Sequence, residues 1–426
     1  MGGEKVIKIT GADVFGKKTD VLVDGDRIKD IGDLGGKYAD AEVVDADGLA
    51  LLPAFVDMHV HLREPGQEYK EDIESGSRAA VAGGFSAVCC MPNTKPVTDN
   101  KYIVKYVKTR AEEVGLAKVY PIAAVTVGQE GKTITEMGKL KEAGAVAFSD
   151  DGRPVENAQT MRVAMEYAKQ FDALIISHCE DISLAAGGVM NEGYTASEAG
   201  YRGITRAGEE VMVAREIVLA DALDTKVHIA HISTKGSVRL IADAKRAGIK
   251  VSCETCPHYF AATDELCAGG DPNAKMNPPL REEEDRKAIV EAIKDGTVDA
   301  IATDHAPHAA HEKLSFADAA NGICGLETSF ALAYTYLVRS GEITLERLSE
   351  LMTAGPAALV GIPCGKIEKG GLADLVLADL NEKYTIDPDK FFSKGRNTPF
   401  GGREVYGKVR MTMVNGKIKY KDGKIC

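Results

Sequence analysis

The sequence predicts an α/β protein: a (β/α)8 TIM-like barrel that interrupts a small β-sandwich domain formed by both chain ends. Two observations carry this. Between residues 53 and 355 an apolar strand, a polar turn and an amphipathic helix alternate, with eight strand candidates, which is the repeat of a closed parallel barrel. On either side, residues 1–52 and 356–426 read as short strands divided by Gly and Asp turns. A length of 426 residues exceeds the ~100–200 of a usual single domain and leaves room for both units.

The elements follow in order. The first unit offers strands at 5–10, 18–23, 27–31 and 41–45. The barrel strands are expected at 54–61, 86–91, 119–126, 145–150, 173–178, 226–233, 250–255 and 299–304. Helical periodicity lies between them at 102–114, 133–143, 158–171, 209–223, 235–247 and 281–295. Two connections are long, 180–207 after the fifth strand and 305–326 after the eighth; loops of that length in a compact domain are more often functional lids than idle insertions. The chain then returns to strands at 375–380, 408–414 and 417–420, with turns at Asn415-Gly416 and Asp422-Gly423.

Composition excludes several classes. The net charge is −12 with no basic patch interleaved with aromatics, so nucleic acid is not an expected partner. Residues 1–5 hold no apolar signal core and no apolar run reaches membrane-spanning length, so no membrane partner is expected and the expected location is cytoplasmic. The nine cysteines are odd in number and scattered, as suits reduced thiols. Cys253 and Cys256 form a C-x-x-C with no second pair nearby and read as buried structural residues.

The site reading starts from Asp57-Met58-His59-Val60-His61-Leu62-Arg63-Glu64-Pro65-Gly66. On a strand with period two, Asp57, His59, His61 and Arg63 share one face, and Pro65-Gly66 ends the strand beyond them. Imidazoles two apart on a strand can converge on one ion; a polar layer inside a barrel is the bland alternative. Further ligand types stand at later strand ends: Asp150 and Asp151 on the fourth, His178 on the fifth, His231 on the sixth and Asp304 on the eighth. Barrel enzymes build their sites at that edge. Four histidines and two aspartates suit a pair of zinc-like ions bridged by a carboxylate and a hydroxide. Periodicity puts His231 at this edge and His228 on the helix-facing side as a hydrogen-bonded histidine. It does not choose between Asp150 and Asp151, and His258 reads as structural.

Five motifs and two single residues together resemble the class I bacterial dihydroorotases of the amidohydrolase superfamily. They are His59 to Gly66, Met91-Pro92-Asn93-Thr94, Phe148-Ser149-Asp150-Asp151-Gly152, the single residues His178 and His231, Met276-Asn277-Pro278-Pro279-Leu280, and Thr303-Asp304-His305-Ala306-Pro307-His308. The resemblance covers essentially the whole chain. It implies metal ligation by His59, His61 and Asp304, and by His178 and His231, with Asp151 bridging two Zn2+ ions per subunit. It also implies substrate binding by Arg63, Asn93, Asn277 and His308. Hydantoinases of the superfamily bridge their ions with a carboxylated lysine; Asp151 stands in that place and supplies the same kind of oxygens.

The implied reaction is the reversible, zinc-dependent cyclisation of N-carbamoyl-L-aspartate to L-dihydroorotate in de novo pyrimidine biosynthesis. In it a metal-bridging hydroxide attacks the ring amide and Asp304 acts as general acid and base. Arg63 takes the ring carboxylate, and the loop after the eighth strand closes over the substrate. A homodimer is implied, with room for association with a neighbouring pathway enzyme. Two other readings stay open. A hydantoinase or allantoinase would leave Arg63 without a carboxylate partner. A non-catalytic assembly subunit with this fold would not be expected to keep the full ligand set.

Overall fold

The computed structural model describes residues 6–426. Residues 1–5, read above for a signal core and for the start of the first strand, lie outside the described residues. Both ends of the chain join one nine-stranded sheet. Its N-terminal strands are Ile7–Val14, Lys17–Asp24, Arg27–Gly32, Glu42–Asp45 and Ala50–Pro53, and its C-terminal strands are Leu375–Thr385, Glu404–Val414, Lys417–Lys421 and Lys424–Ile425. The two ends are stitched where Ala50–Pro53 runs antiparallel to Leu375–Thr385, pairing Leu51 with Leu377. Alternation does the rest: Ile9, Val21, Leu375, Leu377, Met411 and Met413 pack into one core. The opposite face, with Val376, Ala378 and Val414, packs on the barrel.

The barrel has the eight predicted staves, several of them short. Phe55–Val60, Phe85–Cys90 and Lys118–Pro121 form one run of parallel pairs. Ile175–Ser177, Val227–Ile229, Val251–Thr255 and Ala300–Ile301 form a second. The fourth stave carries only single bridges, from Phe148 to Ala123 and to Ile175, and the barrel closes through Val60 and His305. Inside, Val56, Met58, Cys89, Met91, Leu174 and Ile176 fill the lumen, a packed core rather than a pore. The bottom is sealed by Ala357, Val360 and Ile362. Ala357 and Val360 lie on the helix Ala354–Val360, which spans the residue where the C-terminal unit was expected to begin.

Two helical regions escaped the sequence reading. Ile73–Ala82 is capped by Asp72 through Ser75, and Ser329–Ala333, Leu345–Met352 and Ala354–Val360 follow the eighth stave. The loop after the fifth stave is structured, with short helices Ile182–Ala185 and Tyr194–Ala199 and a two-stranded ladder. It is tied down by buried Arg281, whose guanidinium donates to Asn191 Oδ1 (3.1 Å), the Ile204 carbonyl (3.2 Å) and Ser233 Oγ (3.0 Å).

Candidate metal centre

At the C-terminal ends of the staves, side chains from several of them converge. The ligand atoms of His59, His61 and Asp151 lie within 4.8 Å of one another, and so do those of Asp151, His178 and His231. Asp151 belongs to both groups, and its two oxygens face different ways. Oδ2 is 3.4 Å from Nε2 of both His59 and His61. Oδ1 is 3.2 Å from His231 Nε2 and 3.5 Å from His178 Nδ1. Asp304 stands on the first pair's side, 3.1 Å from His61 Nε2 and 3.5 Å from His59 Nε2.

Local backbone breaks explain how these residues meet. The ladder between the first two staves shifts register between Asp57 and Val60, so Asp57 does not share a face with the histidines as period two predicts. It binds Thr303 and the His59 amide instead, the latter at 3.0 Å, and burial pushes its carboxyl up to about 7. His231, Asp304 and Arg63 have positive φ values of 34°, 48° and 62°. Non-glycine residues held there are strained by about 1–3 kcal/mol each, and such strain gathers at functional sites. At His231 the left-handed turn brings the side chain to Asp151 even though Ala230 beside it packs in the lumen. His228 is the counterpart: it is not on the helix-facing side. It shares parity with Ala230 and meets Ser252 Oγ at 2.8 Å inside the barrel.

Asp150 and Asp151 separate by their partners. Asp150 Oδ1 accepts from the amides of Val125 (2.9 Å) and Thr126 (3.0 Å), and Oδ2 accepts from the Thr126 hydroxyl. It ties the fourth stave to the third. Asp151 alone reaches the histidines. His258 is buried, with Nε2 unpartnered, and burial pushes it down to about 4.

The donor set fits divalent cations. His59 Nε2 is fully buried and has no hydrogen-bond partner, yet it is aimed between two carboxylates. Burial opposes every charge here, but mutual attraction prevails for most. Asp151 holds His59 well above its ordinary value, and Asp151 and Glu180 raise His178 to about 10. His59 in turn holds Asp151 well below the carboxylate range and Asp304 at about 2. His61 is lowered, by burial and by Arg63. Buried carboxylates that retain positive charge in this way offer a cation the place of those protons.

A cavity of about 170 Å3 opens on the cluster. Arg63, Asn93, Asn277 and His308 line it together with His61, Asp151, His178 and Asp304. Arg63 is 7% exposed; its Nε donates to the Pro307 carbonyl at 3.3 Å and an Nη lies 3.4 Å from His308 Nε2. Among the described residues no carboxylate pairs with it. Asn93 Oδ1 accepts from His61 Nδ1 at 2.8 Å, which leaves its amide N–H groups for the cavity. Asn277 donates to Glu180 Oε2 at 3.0 Å, the same oxygen that lies 3.3 Å from His178 Nε2. The sequence reading missed Glu180 and Glu254. Glu180 was findable, two residues beyond His178; Glu254 offered only an acid at the end of an apolar stave, with nothing nearby to relate it to His59.

Comparison with known proteins shows the family and the fold. A family model described as dihydro-orotase-like matches residues 48–237, and one described as amidohydrolase family matches residues 204–420. The chain is 49% identical over 422 residues to a dihydroorotase of Acetivibrio thermocellus, covering 97% of this chain and 99% of that one. It is 51% identical over 403 residues to a dihydroorotase of Geobacter metallireducens, covering 94% and 95%. Among solved structures, the L-hydantoinase (dihydropyrimidinase) of Arthrobacter aurescens superposes with a TM-score of 0.87 at 25% identity, over 99% of this chain and 97% of that one.

Proposed function

The chain belongs to the dihydroorotase family of the amidohydrolases, and from that premise we propose that it interconverts N-carbamoyl-L-aspartate and L-dihydroorotate at the His/Asp cluster. The proposed unit division is residues 53–355 for the barrel that carries the chemistry, with 1–52 and 356–426 forming the sheet unit. The proposed cofactor is a pair of Zn2+ ions, one held by His59 and His61 with Asp304, the other by His178 and His231, with Asp151 between them. When bound, such ions supply a nucleophile at neutral pH and polarise a carbonyl.

The observation that carries the substrate assignment is Arg63. A buried guanidinium without a carboxylate, lining the same cavity as a cluster that would hold cations, is electrostatically costly unless an anion comes between them. The ring carboxylate of dihydroorotate is such an anion, and the planar fork of Arg63 suits it. The Asn93 amide, turned by His61, and Asn277, held by Glu180, offer further donors to the ring. Ring opening breaks the amide C–N bond, with hydroxyl going to the carbonyl carbon and a proton to the nitrogen. Asp304 carries that proton, taking it from the attacking water and delivering it to the leaving nitrogen; closure runs the same transfers backwards. The loop at 305–326 would exclude water over the substrate. The enzyme is proposed to be a cytoplasmic homodimer, with a neighbouring pathway enzyme as a further partner.

The test is ring opening of dihydroorotate against hydantoin and allantoin, before chelation, after it, and after Zn2+ is restored. The expected result is turnover of dihydroorotate alone, lost and regained with metal. Equal turnover of the uncharged rings would transfer the assignment to a hydantoinase.

A further inference from the structure

Beneath the cluster, and outside the lining of its cavity, sit two ionisable residues with no place in the chemistry above. Glu254 and His228 are both 0% exposed. Glu254 Oε1 accepts from His59 Nδ1 at 2.7 Å. Its other oxygen stands 3.4 Å from His228 Nε2, and neither of those two atoms makes a hydrogen bond. His228 Nδ1 meets Ser252 Oγ at 2.8 Å. The register makes this possible: His228 lies opposite Ser252 on the neighbouring stave, and Glu254, two residues on, shares its face.

A buried carboxylate costs several kcal/mol in desolvation unless donors surround it, and an apolar side chain would fill the lumen more cheaply. The donors present can be oriented in one direction. Ser252 Oγ–H gives to His228 Nδ1, His59 Nδ1–H gives to one Glu254 oxygen, and His228 Nε2–H faces the other oxygen at 3.4 Å without closing a hydrogen bond. That arrangement leaves the ring lone pair of His59 on Nε2 uncommitted.

Resting on the metal centre proposed above, we infer that Glu254, backed by His228, is a positioning pair for His59: it keeps the proton on Nδ1 and so leaves the Nε2 lone pair facing Asp151 and Asp304, where it would serve as a ligand. Of the other three histidines only His178 also meets a carboxylate, at the longer distance of 3.3 Å. His61 leans on the neutral Asn93, His178 on the partly exposed Glu180, and His231 Nδ1 has no partner. Carboxylate–histidine–metal arrangements fix the ring and raise the basicity of the ligand, and losing the carboxylate typically costs about 10–100-fold in metal affinity.

The experiment is Zn2+ titration of metal-free full-length protein against a competing chelator, for wild type, Glu254→Gln, His228→Gln and the double variant. Thermal melts report folding. The Glu254→Gln change keeps the size and one acceptor but not the charge. The expected result is one ion weakened about 10–100-fold in Glu254→Gln and the other within about threefold of wild type. His228→Gln should weaken the same ion by less, and the double variant should be no worse than Glu254→Gln, because the two residues act as a unit. Wild-type affinity for both ions in Glu254→Gln overturns the inference, and so do losses that add independently in the double variant. Should Glu254→Gln not fold, unchanged affinity in His228→Gln overturns it. A wild-type protein that takes up no divalent cation would instead bring down the metal-centre reading itself.

Discussion

The two histidine pairs of the centre are built differently. His59 and His61 come from one stave, are 0% and 4% exposed, and each gives its outer nitrogen to a side chain, Glu254 or Asn93. Asp304 joins them. His178 and His231 come from two staves and share only Asp151; of their outer nitrogens one meets Glu180 and the other has no partner. The residues after His178 form the long loop at 180–207. The contrast teaches that the two sides differ both in ligands, since Asp304 joins only the first pair, and in what orients those ligands from behind; both would set how firmly each proposed ion is held.

The change that breaks the comparison most completely is Asp151→Asn, because this carboxylate serves both pairs. Turnover should fall by more than the roughly 100-fold typical of losing an outer partner, with metal content reduced on both sides. Asp150→Asn should keep its metals and lose about 1–3 kcal/mol of stability, the range for a buried hydrogen-bond partner removed. Metal analysis beside thermal melts separates the two, and metal loss in the Asp150 variant alone would reverse their roles.

Arg63→Met comes next. It should leave both pairs loaded and the fold intact but lower kcat/KM for dihydroorotate by about 2–5 kcal/mol in transition-state binding. A neutral dihydropyrimidine, if turned over, should be affected far less. Equal losses on both substrates would make Arg63 an organiser of the first pair.

Between the pairs, His178→Ala should release one ion and leave the other near wild-type affinity, while His59→Ala should damage the better-built side. Staged chelation of the wild type is a gentler form of the same test. The ion at His178 and His231 should leave first, by about tenfold in chelator concentration or more, with activity lost before the second ion departs. Simultaneous release in metal analysis would remove the asymmetry.

The smallest effect is on pH. Metal-free His178 holds a proton up to about 10, raised against burial by Asp151 and Glu180, and a cation must displace it. Affinity at that pair should therefore fall as pH is lowered from about 10, by at most roughly tenfold per unit for one proton, with proton release on Zn2+ addition measurable in weak buffer. Uptake without proton release at pH 8 would contradict it.

Much of this was legible in the residues. The β/α alternation predicted the barrel, since apolar periodicity is a local property that the chain carries into the fold. Ligand types at strand ends pointed to the edge where His59, His61, His178, His231 and Asp304 do gather. What pattern could not supply is where regular geometry breaks. Period two assigned Asp57 to the histidine face and His228 to the helix side, and both assignments failed: the first at a register shift between Asp57 and Val60, the second because Ala230 and His228 share the lumen while His231 enters it through a left-handed turn. Nor could pattern choose between Asp150 and Asp151, adjacent acids distinguished only by which neighbour each meets. Glu254 bonds to a histidine 195 residues away, and no local rule relates them. The sequence by itself determined the repeat and the chemical inventory, because both depend on neighbours in the chain. The tertiary structure alone decided which inventory members face one another, because that depends on backbone reversals and barrel closure, whose energies are settled by contacts distant in sequence.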